Sequence, residues 1–303
     1  VGYQAGSDGR LAIDDNALVS VTSPGGETGG PSVLVGYAAN SRGDVIIETG
    51  GRLQLGENSA GGGGYQPGIL VGQAGVGNVT VQSGGQINVE PDLGYLVVAG
   101  QPGATGSLTV TGKDSLVDIG GGVYISADIP PDTRLPAGET ISAGGDGEIT
   151  VGAGGTLRAG EAQGDGIDDI FIGANGTLRV EDGGTVEADV VNDAGGSFIT
   201  GNSPGWATIR GDFDWRGEMC MEFAGTGEGE YDRLDVTGEA VLSGLVTLDF
   251  SLDEGFEAGD RFTVFEADEG LDMAAVDLDV VGVADGFDAR TVVTETALQV
   301  ELV

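Results

Sequence analysis

The residues of this chain that could do acid–base or metal chemistry are almost all carboxylates. Asp and Glu number 49 against 12 Lys and Arg, histidine is absent, and there is one cysteine. Without histidine there is no Ser-His-Asp or Cys-His nucleophile arrangement and no imidazole to hold a metal. Paired carboxylates remain, and such pairs hydrolyse glycosides when one is protonated and the other ionised. Asp14 with Asp15, Asp168 with Asp169, and Asp232 with Asp235 are the candidate pairs. In a chain this acidic, neighbours of that kind are expected by chance. Lyases acting on acidic polymers also need a basic partner, and the single lysine is Lys113. The chemistry therefore predicts a protein that is not an enzyme, with a polysaccharide lyase or hydrolase as the catalytic alternative.

The run GDGIDDIFIG brings Asp165, Asp168 and Asp169 into a glycine-rich stretch whose hard oxygens suit calcium. It lacks the nine-residue GGxGxD repeat of calcium-binding rolls and the closing glutamate of an EF-hand, so solvated turn acids compete with a metal site. No other cofactor is expected. A net charge of −37 repels nucleic acid and anionic membrane surfaces. It suits a saline medium, where screening over a few ångströms relieves self-repulsion. No segment approaches the ~20 apolar residues of a membrane span. Cys220 excludes an intrachain disulfide, and its setting in MCMEF predicts a buried thiol.

The elements that carry these residues repeat. A Val- or Ile-rich strand, a glycine doublet and a second alternating strand recur as DVIIETGGRLQL from Asp44, NVTVQSGGQINV from Asn78, SLTVTGKDSLVDI from Ser107, EITVGAGGTLRA from Glu148 and TLRVEDGGTVEA from Thr177. Only the third copy loses its doublet, to Gly112-Lys113. A further strand precedes each copy: VLVG at Val33, ILVG at Ile69, YLVV at Tyr95, VYIS at Val123 and IFIG at Ile170. Units too small to close a core bury their apolar faces on neighbouring units. The expectation is an all-β fold, a parallel β-solenoid (β-helix) with three strands per coil and coils about 4.8 Å apart. The doublets belong at corners, where positive φ is needed. A β-propeller fits less well, because its blades take four strands.

Alternation assigns faces. Val79 and Val81, Leu108 and Val110, and Leu178 and Val180 point inward with Thr80, Thr109 and Arg179 outward. Leu53 and Leu55, and Ile87 and Val89, do the same in the following strand. The leading strand is apolar on both faces, which predicts an outer stripe of Leu34, Leu70, Leu96, Tyr124 and Phe171. Either inserted loops at 60–67 and 130–136 fold over it, or it is a docking surface.

Near Gly201 the doublets stop, Trp206 and Trp215 appear and the strands lengthen. Residues 1–200 are thus expected to be solenoid repeats, and 201–303 a C-terminal β cap or β-sandwich-like region. This second region carries Ser203-Pro204-Gly205, then Tyr231-Asp232, Leu234, Val236 and Gly238, then Gly259-Asp260 and Phe262. It resembles the distal passenger region of autotransporter-type and PEP-CTERM-associated bacterial surface proteins, whose Ser-Pro-Gly turn, Tyr-Asp-x-Leu-x-Val-x-Gly motif and Gly-Asp-x-Phe these residues match. The glycine-doublet repeats are similar to passenger repeats, so the resemblance covers most of the chain. It departs at the end, where no translocator barrel or anchoring tail follows. The resemblance implies an extracellular or surface-displayed β-helix and leaves the export route open.

The chain starts inside a repeat, which predicts that something precedes it in the gene product or was removed by processing. A coil that opens directly at Val1-Gly2-Tyr3, with no amphipathic cap, predicts pairing with another chain. The expected function is an extracellular structural protein that self-associates into a filament or surface layer. Its rival is a monomeric adhesin binding extracellular glycans or matrix through Tyr3, Tyr37, Tyr65 and Tyr95.

Overall fold

The computed structural model describes residues 1–23, 32–57, 68–89, 94–128, 142–160, 169–192, 195–201, 204–227, 229–252, 255–284 and 286–303. Every regular element among them is a β-strand. Three parallel ladders run along the molecule. On the first face Ser32–Val35 pairs with Gly68–Val71, followed by Tyr95–Val98, Val123–Ile125, Asp169–Ile172, Asp189–Asn192 and Phe213–Trp215. The second face stacks Asp8–Ile13, Arg42–Ile47, Val76–Gln82, Thr105–Thr111, Asp146–Val151, Gly176–Val180, Ser197–Thr200 and Glu218–Glu222. The third runs from Leu18–Ser23 through Ser115–Ile119 and Trp206–Ile209 to Arg233–Val236 and Arg261–Ala267. The fold is the three-strand parallel β-solenoid that the repeated phrase predicts.

The ladders cross residue 200 without a break, so the boundary expected there is not a change of architecture. What changes is the cross-section. Glu239–Asp249 pairs with Phe213–Trp215 through its first half and with Glu218–Glu222 through its second, and Gly270–Val281 pairs along its length. The first and second faces thereby merge into one 17-stranded sheet opposite an 11-stranded one. On the third face, antiparallel pairing joins Ala297–Leu302 to Arg261–Ala267 and Ala289–Val293 beyond it; elsewhere among the described residues it is short, at Ala127–Asp128 with Ser142–Ala143 and at the Phe223–Tyr231 bridge. Ala297–Leu302 and Ala289–Val293 extend the third face only, leaving Gly270–Val281 at the edge of the merged sheet.

The core follows the alternation. Val45, Val79, Leu108, Ile149 and Leu178 stack in register and are buried, as are Val81, Val110 and Val180. Each such side chain contributes roughly 1.5–3 kcal/mol when removed from water. Where the faces merge, the filling becomes aromatic: Phe213 stacks on Trp215 at 5.6 Å, and Phe223 on Phe250 at 4.0 Å.

The two glycines of each doublet meet different demands. The first, at Gly50, Gly84, Gly154 and Gly183, has φ between 73° and 80°. The second closes the turn, as in Gly85 N–H donating to Gln82 O at 3.0 Å. It is also crossed by the carbonyl of the preceding coil, since a Cβ on Gly85 would lie 2.3 Å from Ile47 O, and one on Gly51 2.3 Å from Ile13 O. The corner therefore needs one glycine for its dihedral and one for its missing side chain.

Stacking in register would also bring like charges within about 5 Å. On the second face one outer row reads Asp44, Asn78, Ser107, Glu148, Thr177, Ser197, Glu218, with no two acids adjacent. Asn78 donates to Asp44 at 2.7 Å and Ser107 donates to Asn78 at 2.9 Å. On the third face Asp118, Arg158, Glu187 and Arg210 alternate in sign, with contacts of 3.3, 2.6 and 2.7 Å. Burial alone would raise the Glu187 carboxyl, but bonds from Arg158 and Arg210 hold it below its ordinary range.

Candidate functional site

The expected interaction residues divide. Leu96 is not in the outer stripe. It pairs with Ile69 and Val123 in the core at 2% exposure, and Val97 takes the outward place. The outer row is Leu34, Leu70, Val97, Tyr124, Phe171 and Val191. The register is set by the corner residue that follows each strand, at positive φ in Gly36, Gly72, Ala99 and Ser126. Tyr124 is only 6% exposed and stacks on Phe171 at 5.4 Å, with Val97 and Ala127 forming a second small cluster. Leu34, Leu70 and Phe171 are half-buried. The middle of the stripe is therefore covered and does not form an open docking face.

At the N-terminal coil the Val1 amine donates to Leu34 O at 2.8 Å. Tyr3, 58% exposed, stacks on Tyr37 at 5.3 Å. Tyr95 lies over Gly68 of the neighbouring coil, where a Cβ would meet its ring. Asp165, Asp168 and Tyr65 lie outside the described residues, and Asp169 is described only as the start of Asp169–Ile172. Among the described residues no cluster of three or more Asp, Glu, Cys or His is placed to hold a metal. Cys220 corrects the expectation of a buried thiol. Met219 and Met221 point into the core, so the period of two turns Cys220 outward to an exposed position. Desolvation, then Glu222, Asp249 and Asp232, push its thiol up to about 11.

The richest constellation lies at the corner between the second and third faces near the merged end. Asp232 is 2% exposed, and its two oxygens accept from Gly205 N–H at 2.7 Å and Glu222 N–H at 2.8 Å. Arg233 N–H returns a bond to Gly205 O at 2.9 Å, and Asp232 N–H donates to Glu222 O at 2.8 Å. The Pro204-Gly205 turn and the Tyr231-Asp232 motif are thus the two halves of one clasp between rungs. Burial pushes the Asp232 carboxyl up to about 6, against the pull of the two backbone donors. Asp235, the other half of the expected pair, is held on the outer surface by Arg233 at 2.7 Å and by Trp206 Nε1–H at 2.9 Å. Asp14 and Asp15 are exposed on a turn closed by Ala17 N–H donating to Asp14 O.

Beside the clasp, Arg233 lies over the Trp206 ring, 4.8 Å from its centroid, and reaches Glu266 at 2.8 Å. Trp206, Gly229, Tyr231 and Arg233 line an open cleft of about 290 Å³. Sequence reading misses it because Trp206 and Arg233 are neighbours only through rung pairing. Compared with known protein families and with curated proteins, the chain matches none.

Proposed function

We propose that this chain is a structural β-solenoid of the bacterial exterior that associates with copies of itself through a sheet edge once its charge is screened. The observation that carries this reading is Gly270–Val281, twelve residues long and paired among the described residues only with Glu239–Asp249. Such a strand offers a row of N–H and C=O groups to a further strand, interrupted where Leu271 N–H donates to Glu295 O at 2.7 Å and Ala274 N–H to Asp272 at 2.9 Å. Leu271, Met273, Val276, Leu278 and Val280 pack half-buried against the core, while Asp272, Asp277 and Asp279 are exposed. The carboxylates repel a second edge at low ionic strength and lose that repulsion when the Debye length falls to a few ångströms. Pairing of like edges closes a dimer, whereas pairing with a different edge propagates a filament or layer.

A structural role is also supported by the occupied state of the carboxylates. Both oxygens of Asp232 accept backbone donors, and Asp235 is tied to Arg233 and Trp206. The test is sedimentation velocity and negative-stain microscopy in low salt, in about 1 M NaCl, and with added calcium. The expected result is association that grows with screening and appears at low salt when Asp272, Asp277 and Asp279 are all replaced by Asn. A wild-type chain and a triple variant that both stay monomeric under all three conditions would overturn the proposal.

A further inference from the structure

The geometry points to a binding site for a neutral hexopyranose unit in the cleft formed by Trp206, Tyr231, Arg233 and Gly229. Trp206 opens one rung of the third face and Arg233 opens the next, so their side chains are stacked by the fold. Four contacts fix the arrangement. The indole Nε1–H donates to Asp235 at 2.9 Å, and Arg233 lies over the ring at 4.8 Å while bonding Asp235 at 2.7 Å and Glu266 at 2.8 Å. Tyr231 is held from behind by Phe223, stacked at 6.1 Å, and by the edge of Phe262 at 5.2 Å. Gly229, at φ +78°, has nothing within 4 Å of the place a Cβ would take, so the rim is open.

Two aromatic rings with a fixed rim of donors and acceptors match the two kinds of surface on a sugar, apolar C–H faces and a girdle of hydroxyls. A volume of about 290 Å³ is at the low end for small-molecule sites, which suits a single ring rather than a larger ligand. Charge decides against anions. Arg233 is already paired with Asp235 and Glu266, and a chain of net charge −37 repels phosphate and carboxylate. This site is independent of edge association, because it lies on the third face and Gly270–Val281 belongs to the opposite sheet.

Trp206 supplies its own reporter, since Trp215 is fully buried at 0% exposure. The methyl glycosides of glucose, galactose and mannose are titrated into the full chain to about 0.1 M, where even a millimolar site saturates. Tryptophan emission and saturation-transfer NMR on the sugar are read together. The expected result is a saturable emission change with at least one neutral hexoside. The saturation-transfer signal should disappear in Trp206→Ala, and affinity should fall about tenfold in Tyr231→Ala. The far-ultraviolet spectrum of both variants should keep the wild-type β signature, and Tm should drop in Tyr231→Ala, whose ring packs on Phe223 and Phe262, while staying above the titration temperature. Absence of both signals for all three sugars would overturn the site, as would undiminished transfer to the sugar in Trp206→Ala. Tighter binding of glucuronate than of the neutral glucoside would overturn the charge argument.

Discussion

Replacing Gly85 by Ala and, separately, Gly84 by Ala separates the two demands made at a coil corner. A Cβ on Gly84 finds its nearest atom at 3.8 Å, so the methyl fits, and the cost is that of a left-handed dihedral at φ +80°. That is about 1–2 kcal/mol for alanine and less for asparagine, which tolerates this region. A Cβ on Gly85 meets Ile47 O at 2.3 Å, about 0.7 Å inside the 3.0 Å that real Cβ contacts respect. The coils must part at that corner, stretching the bond of Gln86 N–H to Gly51 O at 2.9 Å between them, or the turn closed by Gly85 N–H to Gln82 O at 3.0 Å must distort. Each is worth about 1 kcal/mol net, and overpacking adds 1–3, so Gly85→Ala should cost about 3 kcal/mol or more. Urea unfolding followed by far-ultraviolet circular dichroism reads the difference as a lower midpoint for Gly85→Ala than for Gly84→Ala, with Gly84→Asn closest to wild type. If Gly84→Ala is the more damaging, or Gly85→Ala costs under about 1 kcal/mol, the carbonyl crossing does not constrain the corner.

Three further outcomes are open to measurement. Val79→Asp places an unpaired charge in the core and should cost several kcal/mol in denaturant titration, whereas Thr80→Asp on the outer face should be nearly silent. Asp232 has a carboxyl raised in the folded chain to about 6 from 3.8, so the folded state holds its proton longer than the unfolded state. Its contribution is fully present below about pH 4 and is lost as pH rises through 6, about 3 kcal/mol in all, and Asp232→Asn should remove that part of the slope in Tm against pH. Cys220, raised from 9.0 to about 11, should alkylate roughly 100-fold more slowly at pH 8 than an unperturbed thiol although it is exposed. Reaction at the ordinary rate would contradict the desolvation of the thiol and, after it, the acidic setting of Glu222, Asp249 and Asp232.

The solenoid was legible because its corners are written in glycine and its strands alternate. It became illegible where other devices take over those tasks. After Thr200 the corner between the second and third faces is held by Asp232 gripping Gly205 and Glu222, which no doublet announces, so stacking that continues through Glu239–Asp249 reads as a separate region. The outward assignment of Leu96 fails for a related reason. YLVV is apolar throughout, and its register is fixed by Ala99 at φ 58°, a left-handed corner without glycine. The cleft of Trp206 and Tyr231 carries no local sequence signal, since its walls come from successive rungs.

The alternating row on the third face bears on how such a chain can change length over generations. Excising the single turn that carries Arg158 would set Asp118 directly against Glu187, and Arg210 alone would be left to neutralise both. The second-face row behaves differently, because two uncharged residues separate Asp44 from Glu148 and Glu148 from Glu218, so loss of either member of a spacer pair still leaves the acids apart. Coil number is therefore free to drift in parts of the array and fixed around Arg158, and a lineage that gains or loses turns should do so away from that residue.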